Sequence, residues 1–577
     1  MSDFITSLAD FDPNALYAVA LGGQAEMGLI LWLFIHQGQI LIVDAGASYP
    51  ATELPGVDLF LPNINFLEAN QDKISALVLT NGHEEHCGAV SYLLSHVNVP
   101  RILAPPFVAT LIKDNAYNIY GQSLTSFPQL EEIQTRRQYK VGAFGLEWID
   151  SNNAIADSCA LNISTGCGNV IYTSSFKFDQ TPVDGKLLDV GRLAAIGDAG
   201  VELLISDSSN VEVSGYTPSE KKLAGKFQSL SQESPGRLIV VAPATNTHRL
   251  KLLFEAAQIG SRRVILLGDT LHKVAVAAAM TGHLPFDQKL TASLEDLNRL
   301  EDRKVFVIAS AIEADPISVL DQLASGNHPM LSLKSGDTLV FSSDVMPGHA
   351  RHMGYILDQL LSLDVKCIWG TRQGVHVTKH ASREELKLVV STVKPHFFVP
   401  AMGEGRHITQ HGELAIDVGL DPTQVYTLAN GDVFELSGGF ATVMGAIESQ
   451  PVLYNREQGE RVTTASVNER RALSLEGVMT IGLSVTAGGD IASGPTFECG
   501  ASGFLRSPEW TTLEGELAGI VREAVSRSRS ENKKAASDSV ADGLSVMRSA
   551  IRESVVKTLR SRLAAKPTVQ VLLSRTH

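Results

Sequence analysis

The chain has 577 residues, which is too long for one hydrophobic core and predicts roughly two to four domains. Its composition, 44% hydrophobic and 19% charged, is typical of globular proteins with a large buried core. A formal net charge of -15 excludes a protein that coats nucleic acid by bulk attraction, although it permits a local basic groove.

Cysteine usage and hydropathy bear on where the chain works. Its five cysteines are odd in number, scattered and without a CxxC pair, which indicates neither a disulfide framework nor a thiolate zinc site. The N-terminus MSDFITSLADFDPN lacks a basic segment followed by an apolar one, and no run of about 18 apolar residues follows. We therefore expect a cytoplasmic protein that is neither exported nor inserted into a membrane.

The predicted elements change character along the chain. From Leu16 to about Leu204, short β-rich runs end in polar loops, as in LYAVALGG, ILIVDAG, ALVLTNG, NVIYTSS and, just past that point, ELLISDSSN. From about residue 218 to 375, strands alternate with helices, which predicts an α/β domain with a parallel sheet. Residues 457–471 are polar and charged and read as a linker, followed by GVMTIGLSV, a helical stretch interrupted by SRSRSENKKAASDS, and a final strand, TVQVLLS.

One stretch, LTNGHEEHCGAV at residues 79–90, has the composition of a metal-binding loop. Two histidines and two glutamates lie within four positions at the end of an apolar run, where loops commonly supply metal ligands. A hydrolytic two-metal site needs further ligands from other segments.

Motifs along nearly the whole chain resemble those of ribonuclease J, in the β-CASP branch of the metallo-β-lactamase superfamily. They are ALGGQAEMG, VDAG, GHEEH, SFKFDQTPVDG, SDSSNVEVSGYTPSE, NTHR, SSDVMPG and HVTKHASREELK. The C-terminal region, from ALSLEGVMTIGLSV to the final strand, is similar to the small extra domain of that family.

The resemblance implies an α/β fold: a metallo-β-lactamase αββα sandwich, an inserted β-CASP α/β domain and a small C-terminal α/β domain. We expect the sandwich in residues 1–217 and 376–456, the insertion in 218–375, the linker in 457–471 and the last domain in 472–577. Family members cut RNA with two zinc ions that activate a bridging water, and they oligomerise through the C-terminal domain.

Four metal-ligand positions implied by the resemblance carry other residues here. In the first motif, which in the family begins with histidine, the first ligand position is Asn81. The histidine of a motif resembling VNHSIPD falls on Asn153, the bridging aspartate of TGDFKFD on Ser175, and the histidine of PVHGE on Met402. A serine hydroxyl cannot replace an anionic oxygen that holds two cations, and a thioether suits copper better than zinc or manganese.

The remaining candidate ligands are His83, Glu85, His86 and Asp44. The third family position is aspartate, so Glu85 adds a methylene that displaces the carboxylate by about 1.5 Å. These residues either hold one zinc or manganese ion weakly or persist as hydrogen-bonding groups, and we favour the second interpretation because two histidines leave coordination incomplete. Cys87 is either a substitute ligand or, as we favour, an ordinary buried cysteine.

The phosphate-binding motifs of the family are partly retained. The RNA or phosphate candidates are Ser342, Ser343, His376, Thr378, Lys379, His380 and Ser382. Lys379 replaces the glycine of a motif resembling HVSGHAS; it could bind an anion, fill the pocket, or be a solvated surface lysine. A loop resembling TTGSQGEP reads IASAIEADP here, and its Glu313 and Asp315 add charge that repels RNA.

Other polar features have structural interpretations that we favour. Arg249, beside His248 in NTHR, reads as an ion-pair partner rather than an RNA contact. The run SRSRSENKK reads as a flexible solvated connection. His407 and His411, four residues apart, read as surface or capping histidines rather than ligands.

The leading hypothesis is a ribonuclease J-like protein that has lost two-metal catalysis and carries no metal. It would act as a subunit, scaffold or RNA-binding protein, pairing with an active ribonuclease J or with itself through the C-terminal domain. The alternatives are a metal-dependent ribonuclease with a rearranged site built from His83, Glu85, His86 and Asp44, and a pure interaction protein.

Overall fold

A computed structural model describes residues 4–50, 54–114, 128–285, 289–310, 316–345, 350–456, 458–500, 510–534, 540–562 and 567–576. Glu313 and Asp315 of the expected repulsive loop lie outside these residues. The chain forms two compact units: Met1–Ala51 with Asp58–Glu460, and Thr52–Val57 with Arg461–His577. The domain boundaries inside the first unit stay a prediction.

Two sheets face each other in the first unit. In spatial order, the first contains Phe440–Ala446, Asp432–Ser437, Leu16–Gly22, Leu31–His36, Gln39–Val43, Ile74–Val78, Arg101–Ala104 and Gln129–Glu132. The second contains Phe397–Ala401, Leu203–Asp207, Gly168–Tyr172, Cys159–Thr165, Phe144–Asp150 and Gln138–Val141. Alternate apolar side chains of both sheets, including Trp32 and Trp148, meet in one buried cluster.

Helices cover the outer faces of both sheets. On the first lie Asn65–Ala69, Glu84–Cys87, Val90–His96 and Pro106–Lys113, and on the second Val190–Ala199, Arg383–Val393 and Gly405–Asp417. Central strands such as Leu16–Gly22 and Leu31–His36 are buried along their whole length because each sheet is covered on both sides. The expected αββα sandwich is confirmed.

The segment after residue 217 contains a parallel sheet, as predicted from its alternating pattern. Its strands are, in spatial order, Arg263–Leu267, Val305–Ala309, Leu238–Val241, Thr338–Phe341 and Lys366–Trp369. Its helices are Ala224–Glu233, Thr247–Ile259, Asp269–Met280, Pro316–Ala324 and Ala350–Ser362. The chain then returns to the sandwich and supplies its last helices and strands.

Short elements complete the first unit. The strands Leu59–Leu61 and Val452–Asn455 pair antiparallel, and the two-residue strand Glu460–Arg461 follows. The 3-10 helices are Leu8–Asp10, Gln71–Lys73, Glu220–Leu223, Leu294–Asn298, Asp302–Lys304, Thr371–Gln373 and Pro422–Gln424.

The second unit has its own α/β core. Its sheet contains Ile491–Gly500, Val478–Val485 and Thr568–Arg575, and its helices are Thr464–Glu476, Trp510–Lys534 and Val540–Arg562. Residues 464–471 of the expected linker are therefore helical, and their polar composition reflects the exposure of most of that helix.

The interpretation of SRSRSENKK as a flexible connection is wrong, because residues 526–534 continue the helix Trp510–Lys534. Leu517, Val521, Ala524 and Ser528 are all buried and recur at three- and four-residue intervals. That spacing places them on one helical face, so packing overrides the polar composition of the other faces.

No helix within the described ranges is long and apolar enough to cross a membrane. The five cysteines are free thiols, as the absence of a CxxC pair predicted.

Candidate metal centre

The candidate ligands sit on loops that follow strands of the two facing sheets. Asp44 follows Gln39–Val43, the loop of residues 79–83 follows Ile74–Val78, and Asn153 follows Phe144–Asp150. Ser175 and Met402 follow the strands Gly168–Tyr172 and Phe397–Ala401. The sandwich therefore gathers at one edge the positions that the sequence assigned to metal ligation.

A buried hydrogen-bonded chain runs through three of these residues. Asp44 Oδ2 lies 2.7 Å from His86 Nδ1, and His86 Nε2 lies 2.9 Å from Ser175 Oγ. Because a carboxylate can only accept, His86 Nδ1 donates to Asp44, and Nε2 and the Ser175 hydroxyl form the second hydrogen bond. Ser175 therefore occupies the ring nitrogen that His86 would offer to a metal.

Further donors satisfy the Asp44 carboxylate. The Thr80 backbone N–H donates to Oδ1 at 2.9 Å, the Thr80 hydroxyl to Oδ2 at 2.8 Å, and the Tyr172 hydroxyl to Oδ2 at 3.1 Å. Asp44 is fully buried and thus acts as an acceptor for protein groups, without requiring an ion.

His83 is held by a second set of hydrogen bonds. Its Nε2 lies 3.0 Å from Asn153 Oδ1, and its Nδ1 lies 2.8 Å from Thr245 Oγ1. Asn153 Nδ2 donates to the Ser175 carbonyl at 2.9 Å, so Oδ1 faces His83 and Nε2 carries the hydrogen. Burial and the positive charge of Lys379 hold the pKa of His83 well below its usual range, so the ring is neutral.

Asn81 and Met402 take structural roles in this site. Asn81 Oδ1 accepts from the His83 backbone N–H at 2.9 Å, and its Nδ2 donates to Ser174 Oγ at 3.2 Å. Met402 is buried, with its sulfur 3.7 Å from Ser175 Oγ. Both side chains fill the centre of the site with contacts to protein atoms.

Glu85 forms an ion pair at the mouth of the site. Lys379 Nζ lies 2.6 Å from Glu85 Oε1, and the two side chains are 25% and 24% exposed. The same oxygen lies 3.5 Å from Ser175 Oγ and 3.8 Å from His86 Nε2. Burial opposes ionisation of Glu85, but Lys379 and the surrounding histidines together outweigh it and hold the Glu85 pKa below its usual range. Lys379 is therefore not a solvated surface lysine.

The Asp44–His86–Ser175 distances match those of a serine–histidine–aspartate relay. Two observations oppose that function. Ser175 is completely buried, and the ionised Glu85 carboxylate lies 3.5 Å from its Oγ, where it would repel a developing oxyanion. The chain of hydrogen bonds instead fixes the His86 ring.

The residues present do not fit a two-metal site. In the part of the chain that the structure describes, no group of three or more His, Cys, Asp or Glu side chains is arranged to hold an ion. Both ring nitrogens of His83 and His86 have protein partners, and a lysine ammonium sits on Glu85. Without a bridging carboxylate, two cations have no shared anionic oxygen.

The phosphate-binding candidates lie near this mouth and are largely satisfied by protein groups. Ser342 Oγ accepts from the Arg249 guanidinium at 2.5 Å and donates to the Val375 carbonyl at 2.6 Å. Ser382 caps the helix Arg383–Val393 and lies 2.8 Å from Thr217 Oγ1. Both hydroxyls therefore serve the fold.

The two candidate histidines face carboxylates. His376 Nε2 lies 2.8 Å from Asp344 Oδ1, and His380 Nδ1 lies 2.6 Å from Asp207 Oδ2. Burial raises the pKa of Asp207, but His380 and the Ser209 hydrogen bonds outweigh it and lower that pKa overall. These carboxylates compete with any phosphate for the same donors. Ser343 is buried, and Thr378 Oγ1 accepts from the His380 backbone N–H at 3.4 Å.

Three interpretations of single residues are settled by these contacts. Arg249 is fully buried and pairs with Glu220 at 2.8 Å, which confirms an ion-pair role. Cys87 is buried, donates to the His83 carbonyl at 3.3 Å and has a pKa raised by burial, so it is an ordinary buried thiol. His407 caps its helix by accepting from the Glu404 N–H at 3.1 Å, as predicted.

The surface interpretation of His411 is wrong. Its ring is fully buried, lies 2.9 Å from Ser208 Oγ and packs edge-on against Phe398 at 4.9 Å. Four-residue spacing from His407 places both on one face of the helix, and both residues are buried there.

Sequence reasoning missed four residues of the site: Thr80, Tyr172, Asp207 and Thr245. Asp207 ends a predicted strand in SDSSN, a position that could have marked it as a site residue. Thr245 comes from the inserted domain, and nothing local to it indicates a partner 162 positions earlier in the chain.

Comparisons with known proteins accord with the fold and the motifs. The model of "Ribonuclease J, beta-CASP domain" matches residues 235–360, and that of the metallo-beta-lactamase superfamily matches residues 28–141. Ribonuclease J of Thermus thermophilus is 32% identical over 520 residues, covering 89% of this chain and 89% of that protein. The chain belongs to the ribonuclease J family.

Other relatives extend this result. Ribonuclease J 1 of Streptococcus pyogenes is 30% identical over 535 residues, or 92% of this chain and 93% of that protein. A crystal structure of a protein of unknown function from Enterococcus faecalis aligns with a TM-score of 0.51 and 13% identity, over 73% of this chain and 100% of that one. That likeness concerns the fold alone. This ribonuclease J family member therefore keeps the architecture of the family.

Proposed function

We propose that this ribonuclease J family protein lacks two-metal catalysis and acts as a non-catalytic subunit, scaffold or RNA-binding protein in RNA processing or decay. One observation carries the proposal. At the position of the bridging aspartate in the motif that FKFD resembles, the neutral Ser175 hydroxyl forms a hydrogen bond with His86 at 2.9 Å instead of supplying an anionic oxygen.

The surrounding contacts support the proposal. A remnant of a metal site that had only lost its ions would leave donor atoms facing one another without partners. Here Asn81, Asn153 and Ser175 each bond to neighbouring site residues, and both histidines are satisfied. Such complete hydrogen bonding stabilises a buried polar cluster without an ion.

Partners and location follow as parts of the same proposal. The relatives named above are ribonucleases, and in our proposal this family member assembles with an active ribonuclease J of the same cell, or with itself, through residues 472–577. RNA binding without cleavage is another form of the proposed role. The pairing of His376 with Asp344 and of His380 with Asp207 weakens the phosphate affinity of these candidate residues. A role in RNA processing and the presence of free thiols both accord with the cytoplasmic location that the sequence predicts.

The test combines metal content with cleavage. Purified full-length protein is dialysed against zinc or manganese, analysed for bound metal, and incubated with a 5′-monophosphorylated RNA. We expect no stoichiometric metal and no cleavage, and His83→Ala with His86→Ala should match the parent protein. About two ions per chain with chelator-sensitive cleavage that this double variant loses would refute the proposal and favour the metal-dependent ribonuclease.

A further inference from the structure

We propose that the Lys379 ammonium is the resident cation of the former metal centre and that its charge keeps divalent ions out. This inference rests on the proposed function and adds the physical reason for it. Its basis is the contact between Lys379 Nζ and Glu85 Oε1 at 2.6 Å.

Glu85 is the carboxylate that an incoming ion would need. Its Oε1 lies within 3.8 Å of His86 Nε2 and 3.5 Å of Ser175 Oγ, so it faces the centre of the site. Asp44, the other nearby carboxylate, is fully buried behind His86 and accepts from protein donors. The ammonium therefore neutralises the accessible negative charge.

Two substitutions far apart in the chain fit each other. Where the resembling motifs have aspartate and glycine, this chain has Glu85 and Lys379, which are 294 positions apart. The extra methylene of Glu85 extends its carboxylate, and a glycine at position 379 would supply no cation.

The position of the pair also places it across the approach to the site. Glu85 and Lys379 are each about one quarter exposed, whereas His83, His86 and Ser175 are buried. A divalent ion entering from this mouth would meet the ammonium first. The positive charges of the ion and of the Lys379 ammonium would repel each other strongly in this partly buried site. A divalent ion therefore binds only after the lysine side chain has moved away.

The experiment measures zinc binding to full-length protein by equilibrium dialysis with zinc chloride and elemental analysis. Lys379→Met removes the charge and keeps most of the side-chain volume, whereas Lys379→Gly also restores the residue of the resembling motif. We expect both variants to bind zinc about tenfold or more tightly than the parent, the effect that a nearby unit charge has on an ionisation equilibrium.

Two controls separate charge from other effects. Lys379→Arg keeps the positive charge and should bind no more zinc than the parent protein. Lys387→Met removes a lysine of the same segment that pairs with Glu384 on the helix surface, and it should also leave zinc binding unchanged. Thermal unfolding of each variant verifies that it is folded.

The outcomes distinguish this inference from the proposed function. If the parent neither binds zinc nor cleaves RNA, and both neutral variants bind as little, the inference is wrong while the proposed function stands. Equal gains in Lys379→Arg and Lys379→Met would also overturn it, because charge would not be the cause. A parent protein that holds about two ions and cleaves RNA would overturn the proposed function itself.

Discussion

At the scale of single residues, hydrogen bonds between protein groups hold the candidate metal centre together. Ser175 and Asn153 are neutral, yet each satisfies a histidine nitrogen that a metal would otherwise take. Burial makes such hydrogen bonds obligatory, because an unpaired polar atom in the core costs about 1–3 kcal/mol. The site therefore stays ordered by bonding within the protein.

His411 provides a residue-scale prediction on pH. Burial lowers its pKa to about 3, below the value of about 6.5 in an unfolded chain. Below about pH 6.5 the unfolded state binds a proton that the folded state does not. This residue therefore makes the free energy of unfolding decrease as the pH is lowered. The slope approaches about 1.4 kcal/mol per pH unit and ends near the folded pKa.

The measurement is urea denaturation at a series of pH values between about 7 and 5. His411→Asn keeps a polar group near Ser208 but cannot take up a proton, so we expect a shallower pH dependence than in the parent protein. Equal slopes in both proteins would show that His411 does not carry this effect.

Arg249 carries the second residue-scale prediction. Its guanidinium donates to both oxygens of the buried Glu220, and this partner, more than countering burial, lowers the Glu220 pKa to about 2. Arg249→Ala leaves that carboxylate buried and unpaired, so we expect a loss of about 3–5 kcal/mol in the free energy of unfolding. Chemical denaturation measures the loss. The double variant Arg249→Met with Glu220→Gln leaves no buried unpaired charge, so it should lose less stability than Arg249→Met alone. A cost below about 1 kcal/mol for Arg249→Ala would contradict a buried pair.

At the scale of elements, backbone hydrogen bonds hold the former metal loop. The carbonyls of Glu84, Glu85 and His86 accept from the N–H groups of Ala47, Ile30 and Ala45 at 2.7–3.0 Å. The loop after the strand Gln39–Val43 thus lies directly against the short helix Glu84–Cys87. This contact fixes the loop whether or not a metal binds.

Gly46 makes this close approach feasible. A methyl group at this position would overlap the Glu85 carbonyl, so Gly46→Ala must push the two loops apart. We expect a loss of about 1–3 kcal/mol in the free energy of unfolding, typical of overpacking. Thermal and chemical unfolding measure it.

Gly354→Ala is the matched control. Gly354 lies within the helix Ala350–Ser362 with open space around its Cα, and alanine favours helix by about 0.5–1 kcal/mol over glycine. The control should be neutral or stabilising. If Gly46→Ala behaves like it, the two loops are not held in this contact.

At the scale of the whole molecule, the chain contains separate hydrophobic cores. The second unit has a cluster of its own, which includes Leu517, Ile551 and Val555, all fully buried. We expect Ile551→Ala to cost about 2–5 kcal/mol in that unit alone. Differential scanning calorimetry should show one transition moving to lower temperature while the transition of the first unit stays in place. A common shift of all transitions would show that the units unfold together.

The sequence by itself determined the family, the sandwich and the inserted parallel sheet, and it predicted that four ligand positions of the family carry other residues here. Strand runs such as ILIVDAG and motifs such as FKFDQTPVDG are local patterns. They can be recognised without knowing which residues pack against them. The sequence did not predict the helical form of residues 526–534, because the packing of one helix face outweighs the polar composition of the segment.

Only the tertiary structure decided what the replaced residues do. That Lys379 meets Glu85, that Ser175 bonds to His86, and that His411 is buried all depend on contacts between distant segments. A side chain's charge state and partners follow from burial and neighbours, which no window of sequence contains. The motifs therefore identify the candidate metal centre, and the fold shows which protein groups its side chains contact.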